Sequence, residues 1–294
     1  VITITKLKLN QLNAEQVKEI RELEQICQQN EGLKRPVFLS NEINFDKSID
    51  CFYLLYDGEK LVSFLSLFIP MQNEAEVSAY TLPECRNKGY FHLLFQEAAA
   101  ELKKFEITKI LFVHEPTSKS AECVLKSYGA SLSYSEYLLA FDSKDFQRHD
   151  SRLRLEFASL NEIPEMAALD SSLFDESYDE SLSLLTKSLE SDHIKLYCAF
   201  VDDKLIGLCN ANSQDGKCII YGVGIAQECQ GKGYGREMLN LLLEQLIRSE
   251  CGEITLEVSS TNAVAYNLYI TSGFHPKTQY DYNTFWLKAN QTTI

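Results

Sequence analysis

Shifting the chain against itself by 144 positions lays Glu84-Cys85-Arg86-Asn87-Lys88-Gly89-Tyr90 on Glu228-Cys229-Gln230-Gly231-Lys232-Gly233-Tyr234, with five of the seven pairs identical. The same shift, without a gap, pairs Tyr53 with Tyr197, Lys60-Leu61 with Lys204-Leu205, Ile110 with Ile254, Ala121 with Ala265, Gly129 with Gly273 and Phe141 with Phe285. One matching block arises by chance easily; matches at a single offset from Tyr53 to Phe141 do not. Self-similarity at a fixed period means a structural unit used more than once. A half of this 294-residue chain has the length of an ordinary domain. The sequence therefore predicts a tandem duplication, joined near the polar stretch 143–151, with one domain over 1–146 and a second over 147–294.

Each copy reads alike. Amphipathic helices are expected over 14–28 in the first copy and over 163–173 and 179–190 in the second. A hairpin follows around Asp57-Gly58-Glu59-Lys60 and around Asp202-Asp203-Lys204, flanked by β-rich runs. Strands over 75–82 and 218–225 then run through a basic, glycine-bearing turn into a helix. In the second copy Met238, Leu239, Leu242, Leu246 and Ile247 lie on one face of that helix. A strand (109–113; 253–258), a helix and a final aromatic hairpin close each copy. Strands alternating with helices imply an α/β fold, a mixed central sheet flanked by helices.

Charge and cysteine usage narrow the function. Lys and Arg number 28 against 42 Asp and Glu, a net −14, and no basic stripe exists to follow a phosphate backbone. Nucleic-acid binding is therefore not expected, whereas an acidic surface suits a cationic partner. The longest apolar run near a hairpin, 61–70, is far short of the roughly 20 residues that span a bilayer. The first residues carry no hydrophobic signal core, so no membrane role and a cytoplasmic location are expected. Nine cysteines, odd in number and never spaced as CxxC, read as reduced core thiols. Five scattered histidines give no metal-binding spacing. No metal is expected.

Of the 13 glycines, Gly222, Gly224, Gly231, Gly233 and Gly235 crowd into one strand-turn-helix segment. Glycine permits positive φ and lets a ligand approach the amides. The following helix aims free N–H groups and its positive dipole end at the same spot. The physical reading is a phosphate-bearing ligand held by Gln230, Gly231, Lys232, Gly233, Tyr234, Gly235 and Arg236. A magnesium-nucleotide loop fits poorly, because Gly233 stands where Ser or Thr must hold the metal. A dinucleotide fingerprint fits poorly too, since the spacing is GxGxG and not GxGxxG.

The pattern Gln/Arg-x-x-Gly-x-Gly/Ala after a strand resembles the acetyl-CoA pyrophosphate loop of the GNAT superfamily of N-acetyltransferases. The resemblance covers essentially the whole chain as two copies and is strongest over 218–274. There Leu256-Glu257-Val258 is followed by Asn262-Ala263-Val264-Ala265-Tyr266-Asn267-Leu268-Tyr269 and Ser272-Gly273-Phe274. That segment is similar to the form found in ribosomal-protein alanine N-acetyltransferases. The resemblance implies two tandem GNAT-like domains and acetyl-CoA as co-substrate. It further implies a catalytic base at Glu257, a catalytic acid at Tyr269 twelve residues on, and a cofactor contact at Asn262. Acetyl transfer also needs a polarised thioester, for which the backbone of Val223, Gly224 and Ile225 is the expected donor. Competing readings are plain: a solvated strand glutamate at Glu257, a half-buried ring at Tyr269, a bystander thiol at Cys229.

In the first copy the same shift puts Phe91 at Gly235, Val113 at Glu257, Leu125 at Tyr269 and Ser118 at Asn262. Both candidate proton-transfer groups are lost there, with Tyr128 and His114 as neighbouring substitutes. The expectation is a degenerate first domain and a catalytic second domain acting on a primary amine, small molecule or peptide. The alternative is a non-catalytic acyl-CoA sensor or scaffold. Two segments are candidates for the acceptor: the acidic stretch 170–192, with Asp170, Asp175, Glu176, Asp179, Glu180, Glu190 and Asp192, and a hairpin over 277–282. The acceptor's identity and the oligomeric state are not legible.

Overall fold

A computed structural model describes residues 4–288 apart from 175 and 215, so Asp175 of the acidic stretch lies outside the described residues. Contacts divide the chain into two compact units: 4–135 together with 278–288, and 136–277. No helix among the described residues is long and apolar enough to cross a membrane.

The first unit contains β1 (Ile4–Leu9), α1 (Ala14–Glu31), β2 (Phe52–Asp57), β3 (Lys60–Phe68), β4 (Glu74–Thr81), α2 (Tyr90–Lys104), β5 (Lys109–His114) and α3 (Lys119–Tyr128). The chain then runs along β6 (Ser131–Phe141). The second unit continues with β7 (Arg154–Phe157), α4 (Ile163–Phe174), α5 (Tyr178–Leu189), β8 (Ile194–Val201), β9 (Lys204–Gln214), β10 (Lys217–Ile225), α6 (Tyr234–Arg248), β11 (Glu253–Ser259) and α7 (Ala263–Thr271). The last element is β12 (Phe274–Trp286).

The strand order of the first unit is β1-β2-β3-β4-β5-β12, and that of the second is β6-β11-β10-β9-β8-β7. In each, one parallel pair (β4 with β5, β10 with β11) sits among antiparallel neighbours. The final strand of each copy is exchanged. β12, from the second copy, pairs with β5 from Asp281↔His114 to Trp286↔Lys109. β6, from the first copy, pairs with β11 from Ile254↔Phe141 to Ser259↔Glu136. The repeat joint expected at 146/147 thus differs from the division into compact units, which falls inside β6 and β12.

The expected closing hairpins are not formed. Each is a single long strand, and 277–282 lies inside β12. Neither segment carries the Asn-Gly or Asp-Gly pair that a tight reversal favours.

Local sequence explains the rest. Asn13 and Gln16 form a reciprocal cap on α1, and Ser177 and Glu180 form one on α5; each is worth about 1 kcal/mol. Met238, Leu239, Leu242, Leu243 and Leu246 make the buried stripe of α6 and pack with Cys209, Cys218, Ile220 and Leu256. Fully burying one such side chain contributes about 1.5–3 kcal/mol. All nine cysteines are free thiols and six are buried. α4 departs from the pattern, because Asp170 stands in its buried stripe with Ile163, Met166 and Ala167.

Candidate active site

The site in the second unit begins where β10 leaves its parallel neighbour. Pairing runs from Lys217↔Glu253 to Ile220↔Leu256 and then stops. On its other side β10 pairs with β9, but the register slips between Tyr221 and Gly224. Gly222, at φ +58°, takes the left-handed turn of this bulge.

The first unit has no such slip. β3 and β4 stay in register from Ser63↔Thr81 to Phe68↔Glu76. Ser66 pairs with Ser78, whereas Asn210, 144 positions on, pairs with Tyr221 and not with residue 222. β10 therefore carries one extra residue, balanced by a reversal between β9 and β10 that is one residue shorter. A gapless alignment hides both changes.

The glycines beside the bulge make room for protein side chains. A Cβ on Gly222 would lie 2.6 Å from Asn210 Nδ2, and one on Gly224 would lie 2.5 Å from Leu173 Cδ1, with Phe174 behind it. α4 thus seats its last turn on Gly224. Asn210 is 3% exposed and its Oδ1 has no hydrogen-bond partner among the described residues. Leaving such a group unsatisfied costs about 1–3 kcal/mol. Asn212, two residues on along β9, has the same orphaned oxygen.

The glycine turn has the expected geometry. Gly231 (φ +72°) and Gly233 (φ +90°) are left-handed, and Gly233 caps α6. The first amides of the helix to find an acceptor are those of Arg236 and Glu237, both on the Gly233 carbonyl at 3.1 and 3.2 Å. The turn is tied to the strand by Gln230 Nε2, which donates to the Ile225 carbonyl at 2.9 Å. Lys232 Nζ donates to the Glu228 carbonyl and Arg236 to Thr271 Oγ1.

A third cation was not singled out from sequence. Arg152 lies over the Tyr234 ring at 4.5 Å, donates to the Lys232 carbonyl at 2.7 Å and pairs with Glu237. It precedes β7, 80 residues from the turn, so no local pattern marks it.

Glu257 and Tyr269 approach from different sides. Ile254, Leu256 and Val258 face the core that holds Tyr269. Glu257 alternates with them and is exposed, one position past the last β10–β11 pair. Tyr269 is 6% exposed and meets the Phe274 ring edge-on at 5.9 Å. Burial pushes its hydroxyl up to about 12, with the neighbouring Cys209 adding to the rise. Asn262 caps α7, its Oδ1 accepting from the Ala265 amide at 3.0 Å.

Among the acidic residues proposed for acceptor binding, Asp170 and Glu176 are set apart. Burial raises the Asp170 carboxyl, opposed by a hydrogen bond from Ser181. Burial, then the charges of Asp170 and Glu180, raises Glu176.

In the first unit the turn keeps its backbone but changes its surroundings. Asn87 (φ +61°) replaces Gly231, a residue type that tolerates the left-handed region, and Gly89 (φ +80°) caps α2. Arg86 Nε donates to the Thr81 carbonyl as Gln230 does to Ile225. Phe91 stacks on Phe95 at 5.8 Å in a cluster with Phe112, Tyr128 and Phe285. Tyr80, at the position of Gly224, donates to the Arg35 carbonyl.

Glu115 accepts from the amides of Lys34 and Arg35 at 2.6 and 2.7 Å and from Thr278 Oγ1 at 2.7 Å. His114 is spent on the Glu115 carbonyl and Tyr128 on His92. A cavity of about 1230 Å³ remains in this unit, with the aromatic cluster at one side and Glu31, Arg86, Ser118 and Ser120 at another.

The model of the acetyltransferase (GNAT) family matches this chain twice, over residues 17–129 and 160–274. No curated protein matches it by sequence. Among solved structures, a GCN5-related N-acetyltransferase from Sphaerobacter thermophilus superposes with a TM-score of 0.73 at 14% identity, covering 99% of this chain and 98% of that one. A tandem GNAT protein from the clavulanic acid biosynthesis pathway, solved without AcCoA, gives 0.72 at 14% identity, covering 98% and 100%. A GNAT-family acetyltransferase from Colwellia psychrerythraea gives 0.60 at 13% identity, covering 97% and 100%. At these identities the likeness concerns the fold. With both halves matched by one family model, the chain belongs to the GNAT acetyltransferase family, as a tandem of two such domains.

Proposed function

We propose that the second unit transfers an acetyl group from acetyl-CoA to a primary amine by direct attack, and that the first unit does not. The observation that carries this reading is the bulge at Gly222, present in β10 and missing from β4. It takes Gly222 and Val223 out of the β9–β10 register, while Gly224 and Ile225 stay paired with β9 and have no β11 partner on their other edge, since that pairing ends at Ile220. Amides so placed would bind the thioester arm and polarise its carbonyl. The amides of Gly231, Lys232, Gly233, Tyr234 and Gly235 would take the pyrophosphate, at the positive end of α6. Gln230 would hold the turn in shape, and Lys232 and Arg236 would add charge to it. Asn262 has its side-chain oxygen on α7, so its NH₂ group would be the one to meet the cofactor.

Proton transfers follow from the two carried-over residues. Glu257, exposed at the open end of β11, would take one proton from the ammonium, so that the neutral amine can attack. The bond from nitrogen to the acyl carbon forms, the carbon–sulfur bond breaks, the thiolate leaves, and the second proton of the nitrogen passes to solvent. Tyr269 would supply the proton for the thiolate. Burial weakens its acidity and so keeps it protonated at neutral pH, as a donor must be.

The acceptor is read as a cationic amine, because its neighbourhood offers acceptors: the Asn210 and Asn212 oxygens, the buried Asp170 carboxyl and the half-buried Glu176 carboxyl. Small-molecule and peptide amines both fit this chemistry. The test is release of the CoA thiol from acetyl-CoA across a panel of diamines, amino sugars and peptide α-amines. Amine-dependent release from at least one class is expected. Acetyl-CoA binding with no release from any class would favour a sensor.

A further inference from the structure

We propose that Glu31 is an internal anion that closes the cleft of the first unit to phosphate-bearing ligands, so that the chain holds one acyl-CoA and not two. The inference rests on the reading above only for the second site. Glu31 is the last residue of α1, and its carboxylate reaches across the mouth of the cleft to both lips. From the turn after β4, Arg86 Nη2 donates to Glu31 Oε2 at 3.2 Å. From the start of α3, the Ser120 amide donates to Oε1 at 3.0 Å. The hydroxyls of Ser120 and Ser118 reach Oε2 at 2.8 and 3.3 Å.

The two lips correspond, at the 144 offset, to Gln230 and Asn262 of the second unit, where no acidic side chain bridges them among the described residues. Arg86 is the residue type best suited to a phosphate oxygen, and here its charge is spent on a carboxylate. A cluster of one guanidinium, one helix-terminal amide and two hydroxyls satisfies one anion. With Glu31 in place, an incoming pyrophosphate meets a fixed negative charge, and the donors of Arg86, Ser118 and Ser120 are already engaged.

The cavity behind them is not the obstacle. Its volume of about 1230 Å³ exceeds that of most small-molecule sites. Phe91, which replaces Gly235, is folded into the ring cluster with Phe95 and Tyr128. Glu31 is then the group that decides whether the cleft takes an anion.

The experiment is calorimetry with acetyl-CoA on the full chain, in a background where Gly235→Asp puts a carboxylate on the second unit's turn. Gly235→Asp alone is expected to leave only weak residual binding. Adding Glu31→Ala, or Glu31→Gln, which keeps the side chain's size, is expected to restore a site, tightening binding about tenfold or more over Gly235→Asp. Arg86→Ala should remove that site again.

A site that survives Gly235→Asp and is lost with Arg86→Ala would overturn the proposal, as would no binding after Glu31 is replaced. If the wild-type chain binds nothing while Glu31→Ala binds one acetyl-CoA, the proposal stands and the cofactor site assigned to the second unit falls.

Discussion

Two strands with a common origin, β4 and β10, end at equivalent turns, and their surroundings have become opposites. Around β4 several strong polar groups are spent on the protein itself. Glu115 holds two amides and a hydroxyl, Tyr80 fills the place of a glycine, and Glu31 ties both lips of the cleft. Around β10 a bulge interrupts the ladder, two asparagine oxygens are buried without partners, and a carboxylate sits in an apolar helical stripe. A protein region that satisfies its own polar groups is built for stability. One that leaves them open bears a cost that a ligand can repay. The difference teaches that one scaffold used twice has come to treat its polar groups differently in its two copies, as the proposed division of labour requires.

The sharpest way to break this comparison is to remove the carried-over proton-transfer pair. Glu257→Gln and Tyr269→Phe should each lower the acetylation rate by about 10²–10⁴-fold while acetyl-CoA binding persists. His114→Ala in the first unit should leave the rate unchanged. Equal losses at Glu257 and His114, read by steady-state kinetics, would contradict the division of labour.

A smaller effect is expected from Glu115→Ala. It strands two backbone amides, so denaturant unfolding should show a loss of about 2–3 kcal/mol. Turnover in the second unit should hold below the unfolding transition.

The smallest effect belongs to Asp170→Asn. Burial raises this carboxyl in the folded chain above its unfolded value, so the ionised form opposes folding. Below the usual aspartate range, near pH 3.9, both states are protonated and the residue costs nothing. As pH rises through that value the unfolded state ionises first, and the penalty grows until the folded carboxyl ionises too. Asp170→Asn should therefore raise Tm at neutral pH, with the gain fading as pH falls toward the usual aspartate range. An unchanged Tm at pH 7 would show that Ser181 and its surroundings already compensate the charge.

Much of this contrast was legible in the residues. The repeat, the glycine turn and the loss of Glu257 and Tyr269 equivalents in the first copy follow from one shift of the sequence. Three features were not. The bulge at Gly222 was masked because its extra residue is offset by a shorter reversal between β9 and β10, leaving the alignment gapless. The exchange of β6 and β12 was hidden because alternation tells which face a strand buries and not which neighbour it pairs with. Arg152 was missed because a guanidinium that folds back over a turn 80 residues away leaves no periodic signal. The expected closing hairpins went wrong for a related reason: long aromatic runs suit one extended strand as well as two short ones.

The central claim, that the second unit is the one that takes the cofactor, is tested most directly by amide hydrogen exchange with and without acetyl-CoA. The account predicts slowed exchange at 223–225 and 231–236, with 87–92 unchanged. Slowed exchange at 87–92 with 231–236 unaffected would contradict it.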